Sequence, residues 1–148
     1  MYEEEREFLK NKFPSMTAEE QGKISPGLLR WAARFKKGMY YRMVAECIYS
    51  KFCTLGIKEG DKYVVYGALV NKQESTAPHC LLALAPLVEH YNLFNDRMLQ
   101  GCDDPNQERL FETSICLDRG IDDGGLGRVR FKITYEKISK EEWMAKRS

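Results

Sequence analysis

The sequence predicts an α+β fold, in which a small, mainly antiparallel sheet packs on one long kinked helix and is preceded by an N-terminal helical extension. The first observation is the stretch "RVRFKITYEK", where apolar and polar residues alternate with the period of a half-buried strand. The second is "STAPHCLLALAPLVEHYNLF", the most apolar part of the chain, which is typical of a buried helix. The predicted inner face of the strand carries Val129, Phe131, Ile133 and Tyr135.

Residues 1–38 are predicted to form the helical extension. The first helix covers residues 2–12, and "TAEE" from Thr17 matches a capping box that starts a second, short helix. The third helix starts at "SP", with Ser25 as N-cap, and stops at Gly38. It carries an apolar stripe of Leu28, Trp31, Ala32 and Phe35, and a basic opposite face of Arg30, Arg34 and Lys37.

Residues 39–148 are predicted to form the α+β domain with a C-terminal helix. Strands are expected in "YYRMVAECIYS", in "KYVVY" after a corner at Gly60-Asp61, and in "RLFETSICLD". "RGIDDGGLG" is expected to be a hairpin loop, and "SKEEW" to cap the last helix through Ser139 and Glu142.

The long helix is predicted to be capped by Ser75 or Thr76, with Pro78 in its first turn and Pro86 kinking or splitting it. The side chains expected to be buried are Leu81, Leu84, Leu87, Val88 and Tyr91.

Composition limits the class of protein. The 148 residues are 43% hydrophobic and 30% charged with a net charge of +1, which is globular composition and favours neither a membrane nor a nucleic-acid partner. The N-terminus is acidic and lacks the pattern of a secretory signal, so we expect a cytoplasmic protein. Five cysteines in a reducing compartment are then expected to be thiols or metal ligands.

Three short motifs follow one another in the chain: "CTLGIKEGD" from Cys53, "CLLAL" from Cys80 and "CDDP" from Cys102. This ordered set resembles a family of small, functionally uncharacterised bacterial and archaeal proteins with the frame Cys-x-x-Gly-x-Lys-x-Gly-Asp, Cys-x-x-Ala-Leu and Cys-x-Asp. The resemblance covers roughly residues 40–137 and implies no established reaction. Members often carry a histidine just after the helix cysteine, whereas this chain has Leu82 there and His79 before the cysteine.

The cysteines are candidates for chemistry. A cysteine at a helix N-terminus is favoured as thiolate, which binds metals and attacks electrophiles. A site for zinc or an iron–sulfur cluster is predicted from Cys53, His79, Cys80 and Cys102, with Cys116 as a spare ligand. Cys53 and Cys80 are expected to meet at one end of the domain, and Cys102 to join them only if the chain turns back after Pro86. The alternative is that the cysteines, like Cys47, fill the core.

The loop "DRGIDDGGLGR" offers a second candidate site. Its backbone N–H groups could bind an anion beside Arg128, or its three aspartates Asp118, Asp122 and Asp123 could hold a cation. The alternative is a plain hairpin connection with glycines at positive φ.

Two functions follow from these patterns. The first is a non-catalytic domain that binds a metal, a small ligand or a protein partner, for example as an accessory subunit. Its candidate ligand-binding residues are Cys53, Cys80, Cys102, Asp103 and Arg128. The alternative is a cysteine-dependent enzyme that uses Cys80 or Cys102 with a carboxylate such as Asp103 or Asp104. A homo-oligomer or a protein partner is expected at the N-terminal helices if the stripe of the third helix finds no cover within the chain.

Overall fold

The structure, a computed structural model, describes residues 2–147 without the side chains of Lys36 and Lys37. Its elements follow in the order α1 (Glu3–Lys12), α2 (Ala18–Gly22), α3 (Pro26–Gly38), β1 (Tyr41–Lys51), β2 (Lys62–Tyr66), β3 (Leu69–Val70), α4 (Leu81–Leu99), β4 (Thr113–Ile115), a 3₁₀ turn (Ile121–Asp123), β5 (Arg128–Lys137) and α5 (Lys140–Arg147). The strands form an antiparallel sheet in the order β3–β2–β1–β5–β4. The predicted α+β class is therefore confirmed.

The inner face of the sheet packs on α4 and forms the main core. The alternation predicted for β5 is confirmed, because its four apolar residues are buried and face the same side as alternate residues of β1 and β2. This cluster of strand residues comprises Met43, Ala45, Cys47, Tyr63, Val65, Val129, Phe131, Ile133 and Tyr135. From α4 it receives Ala83 and Leu87.

The outer face of the sheet is covered only over one half. Trp143 of α5 packs there on Val44, Val64 and Tyr66, and the ring of Phe35 from α3 lies 5.7 Å from its ring. The opposite half of this face, around β4 and the start of β5, carries the alternate, charged residues of β5 and remains exposed.

Helix α3 is covered by the chain itself. Its anchor is Leu29, which is 1% exposed, whereas Leu28 of the predicted stripe is 45% exposed and was wrongly assigned. Ala32 is buried, and the ring of Trp31 contacts that of Phe35 in a tilted arrangement, 4.6 Å between centroids. The chain thus buries one residue of this stripe and half-buries Trp31 and Phe35, and oligomerisation through it stays a prediction. The predicted exposure of Lys37 lies outside the described side chains.

Helix α4 begins later than predicted. Its N-cap is Cys80, so Ser75, Thr76 and Pro78 precede the helix. The hydroxyls of Ser75 and Thr76 instead accept hydrogen bonds from the backbone N–H groups of Val64 (2.9 Å) and Lys62 (3.0 Å). These two side chains therefore satisfy donors of β2, which explains why capping residues occur here without starting a helix.

This later start also changes the buried face of α4. Leu87 is buried and Leu84 and Tyr91 are partly buried, but Leu81 is 83% exposed and Val88 is exposed, so the prediction was wrong for these two. The buried helix residues are Ala83, Leu87, His90 and Met98. They recur at intervals of three, four and eight, which places them on one side of an α-helix.

Pro86 lies inside α4 without splitting it, because the helix runs uninterrupted from Leu81 to Leu99. Proline has no N–H, so it cannot donate to the carbonyl of Leu82 one turn earlier. The N–H of Leu117 donates to that carbonyl instead, at 3.0 Å. The hydrogen bond missing from the helix is thus replaced by one that attaches the segment after β4 to α4.

Local signals at the other helix starts are largely confirmed. The capping box at Thr17 and Glu20 is complete, and Ser25 and Ser139 each accept a backbone hydrogen bond from the first turn of the following helix. The carboxylate of Glu142 does not complete its predicted box among the described hydrogen bonds, and it lies 4.0 Å from Arg42. In the range 2–147, no helix combines the length and the apolar character needed to cross a membrane.

We expect Trp143→Ala to lower the free energy of unfolding by about 3–5 kcal/mol, because a large side chain at 2% exposure leaves a cavity between α5, α3 and the sheet. Met144→Ala on the same helix is the control, since its exposed side chain should change stability by less than about 0.5 kcal/mol. Urea unfolding followed by circular dichroism measures both, and equal effects would contradict the packing described here.

Candidate functional site

Three cysteines gather around Tyr63 at the N-terminal end of α4. Burial, with a smaller contribution from the charges of Cys80, Cys53 and Cys116, raises the pKa of the Tyr63 hydroxyl to about 12. A hydrogen bond with the Cys80 backbone lowers this pKa and so opposes the effect of burial. The hydroxyl of Tyr63 also donates to the carbonyl of Pro78 at 2.5 Å. The structure therefore brings Cys53 and Cys80 into one cluster, and the third thiol there is Cys116.

Cys102 lies at the opposite end of the molecule. It follows the C-terminus of α4, and its charge acts on Tyr41 at the start of β1, whereas Cys53 follows the end of that strand. The 19 residues of α4 span roughly 28 Å, so Cys80 and Cys102 are far apart. The predicted set of ligands fails at Cys102 because Pro86 does not turn the helix back.

The segment around Cys102 has a structural role. Asp103 and Asp104 are exposed, and a carboxylate oxygen of Asp104 accepts the N–H of Asn106 at 2.9 Å. The side-chain amide of Asn106 then pairs with both the N–H (2.8 Å) and the carbonyl (2.7 Å) of Tyr135. The "CDDP" motif thus starts a turn whose asparagine extends the hydrogen bonding of β5.

The predicted metal site is not assembled. His79 is exposed and precedes α4, and its ring lies 6.4 Å from the ring of Tyr63. Among residues 2–147, no group of three or more His, Cys, Asp or Glu side chains is placed to hold a metal ion.

The thiols of Cys116 and Cys47 are not activated as nucleophiles. Burial raises the pKa of Cys116, and the hydrogen bond from the Asp118 N–H to its sulfur (3.5 Å) opposes that rise. Burial likewise raises the pKa of Cys47, which is part of the core as predicted. Both thiols are therefore held in the protonated form, which is the less nucleophilic one.

The "CTLGIKEGD" motif builds the loop between β1 and β2. Gly56 and Gly60 have φ of 78° and 89°, which only glycine adopts without strain. The Asp61 carboxylate accepts the N–H of Lys58 at 3.0 Å, and the buried Ile57 joins the core. This geometry accounts for the motif by folding alone.

The glycine loop contains its own anion. The carboxylate of Asp118 accepts hydrogen bonds from the N–H groups of Gly120 (3.1 Å), Leu126 (2.9 Å) and Gly127 (2.9 Å), and these bonds lower its pKa. A side chain at position 125 is excluded, since its Cβ would lie 2.2 Å from that carboxylate. The backbone donors predicted to bind an external anion are thus occupied by Asp118, and the loop is a rigid hairpin connection.

An arginine cleft lies beside this loop on the uncovered half of the outer sheet face. It is an open concavity of about 980 Å³. Its lining comprises Tyr49, Ile115, Cys116, Leu117, Asp118, Arg119, Asp123, Arg128 and Arg130. The cleft therefore combines three guanidinium groups with exposed apolar side chains of the edge strand.

The three arginines of the cleft differ in their partners. Arg128 lies 3.4 Å from the Asp123 carboxylate and also donates to the carbonyl of Arg119 at 3.3 Å. The guanidinium of Arg130 lies 5.0 Å from the ring centroid of Tyr49, in cation–π contact. Within the described part of the chain, no carboxylate pairs with the guanidinium of Arg119 or Arg130.

Of the three arginines of this cleft, only Arg128 had been predicted from the sequence as a ligand-binding residue. The alternation of β5 could have indicated Arg130, which points to the same side as Arg128 two residues away. No local pattern in the sequence could have indicated the other lining residues Tyr49, Arg119, Ile115 and Leu117. They come from separate segments of the chain that meet only in the folded sheet.

Comparisons with known proteins add no relative. No family model matches the chain, and neither a curated protein nor a solved structure matches it. The resemblance to the cysteine, glycine and aspartate frame therefore stays a prediction, and function has to be argued from the geometry of this chain.

We expect Asp118→Asn to weaken the pH dependence of stability at acid pH. The backbone hydrogen bonds lower the pKa of the Asp118 carboxyl in the folded protein below its pKa in the unfolded chain, which is near 4. The ionised carboxylate therefore stabilises the fold above about pH 4, and this stabilisation is lost as the pH falls through the pKa of the folded protein. Urea unfolding between pH 2 and 7 should show a shallower acid loss in the variant. The exposed Asp122→Asn on the same loop is the control, and an identical change in both variants would contradict this role of Asp118.

We expect Cys116 to react slowly with iodoacetamide at pH 7 and faster as pH rises, because its raised pKa keeps the thiol protonated. Mass spectrometry of labelled peptides measures each cysteine separately, with free cysteine as the reference. If Cys116 outpaced free cysteine at pH 7, the thiol would be activated and a cysteine-dependent reaction would be favoured over binding.

Proposed function

We propose that this protein is a non-catalytic binding domain whose ligand is a small molecule with a carboxylate or phosphate group held in the arginine cleft. The observation that carries the proposal is the imbalance of charge in a concave surface. Three arginines line the cleft, one carboxylate in it is bonded to the backbone, and the other pairs with a single arginine.

The imbalance is maintained by the fold. Asp118 is directed into the glycine loop by three backbone donors and so is not oriented to pair with Arg119 or Arg130. Guanidinium groups offer several N–H donors in a planar arrangement that suits carboxylate and phosphate oxygens. An anion in the cleft would supply the acceptors that these arginines lack within the chain.

A binding role is favoured over catalysis by the state of the thiol in the cleft. Cys116 is the nucleophilic side chain that lines it, and burial raises its pKa. The enzyme alternative through Cys102 is also weakened, since that thiol is buried at the far end of α4. We infer that the domain is cytoplasmic, since its five cysteines form no disulfide and such thiols remain reduced in that compartment.

The proposal is tested by titrating isotopically labelled protein with sodium acetate and with inorganic phosphate, followed by NMR. We expect shifts at the side-chain N–H groups of Arg119 and Arg130 and at the amides of residues 115–119. Arg119→Gln and Arg130→Gln should each weaken binding by about two- to fivefold, because ion pairs at exposed sites contribute roughly 0.4–1 kcal/mol.

Arg34→Gln on α3 is the matched control, since it removes one exposed charge from another surface. It should leave the affinity unchanged. Shifts that spread over the whole surface, or equal weakening by all three variants, would show a general charge effect and would contradict a site in the cleft.

A further inference from the structure

The arginine cleft continues into a second concavity across the edge strand. A groove of about 480 Å³ lies between α4 and β4. Its lining comprises Ala85, Pro86, Glu89, His90, Phe111, Thr113, Ser114, Ile115 and Leu117. Ile115 and Leu117 line both concavities, so the two adjoin at β4.

The groove exposes apolar side chains to water. Ile115 and Leu117 are 55% and 58% exposed, and Phe111 beside them is also exposed. Leu117 is held in this place by its backbone, since its N–H donates to the Leu82 carbonyl that Pro86 leaves without a helix partner. The apolar surface is thus presented by a fixed backbone, and covering it would be favourable.

The two concavities differ in charge. Glu89 is the charged side chain at the groove, and burial lowers the pKa of His90, which keeps its ring neutral near pH 7. An anion is therefore disfavoured in the groove and favoured among the arginines. The hydroxyl of Ser114, which is 2% exposed and has no partner among the described residues, adds one neutral polar group to the groove.

We propose that the ligand is a free aliphatic carboxylate with an unbranched chain. Its carboxylate lies between Arg119 and Arg130, and its chain crosses Ile115 and Leu117 into the groove beside Pro86. This inference rests on the proposed anion site and deepens it, since it names the body of the molecule whose charged group the cleft holds.

The chain length of the ligand provides the test. Acetate, hexanoate and decanoate carry the same head group and are titrated below the concentration at which micelles form. A fully buried methylene favours transfer from water by a factor of about four, and an open groove buries only part of each, so we expect roughly two- to threefold tighter binding per added methylene. Hexanoate and decanoate, but not acetate, should shift the amides of Ala85, Phe111 and Ser114.

Phe111→Ser is the diagnostic variant because the Phe111 side chain is 56% exposed and lines the groove but not the arginine cleft. It should remove much of the gain from acetate to decanoate and leave acetate binding unchanged. Leu28→Ser is the matched control, since Leu28 is also exposed and lines neither concavity. Arg119→Gln should weaken the binding of all three acids by the same factor.

The outcomes separate this inference from the proposed function. Shifts at the arginines with equal affinity for acetate and decanoate would overturn the aliphatic chain and leave the anion site in place. Decanoate binding that Arg119→Gln and Arg130→Gln do not weaken would overturn both. Loss of the gain from acetate to decanoate in Phe111→Ser but not in Leu28→Ser supports the proposed path of the chain.

Discussion

The alternation of residues along β5 is the constraint on which the rest of the structure depends. Val129, Phe131, Ile133 and Tyr135 are buried against α4, and the residues between them must therefore point to the outer face. Burial of these four side chains fixes the register, because a shift of one residue would place charged groups in the core and apolar groups in water. The same constraint turns Arg128 and Arg130 towards the arginine cleft.

The cover of the outer face decides whether those arginines reach solvent. Trp143 and Phe35 close the half near β2, while no helix of residues 2–147 lines the half near β4. Arg42 stabilises the covered half, since its guanidinium contacts Glu136 (2.7 Å), Glu74 (3.1 Å) and the Tyr66 hydroxyl (3.0 Å). Arginines on the two halves of one sheet face thus have different roles, because only Arg42 has carboxylates from several elements around it.

Two local deficits of hydrogen bonding are satisfied outside the regular helix and strand patterns, and both shape the site. The carbonyl of Leu82, which lacks a helix donor because of Pro86, accepts from Leu117. This bond attaches the segment after β4 to α4, because the Leu82 carbonyl has no donor within the helix. In the glycine loop, Asp118 accepts three N–H groups that would otherwise need water or an external anion.

Much of the fold and little of the site could be predicted from the sequence. The capping residues Thr17 and Ser25, the α+β class and the whole of β5 were determined by interactions within a few residues or by one repeating period. The cluster of Cys53 and Cys80 was anticipated from the order of elements, and its third member, Cys116, was named only as a spare ligand.

Tertiary structure decided the features that depend on pairing between separate segments. Ser75 has the character of a helix cap, but the unpaired donors of β2 compete for its hydroxyl, so α4 starts at Leu81. In α3 the buried leucine is Leu29 rather than Leu28, because the elements packed against the helix determine which of its sides is buried. The arginine cleft arises where β1, β4, β5 and the glycine loop meet, and side chains that are far apart in the chain carry no local pattern that reveals such a meeting.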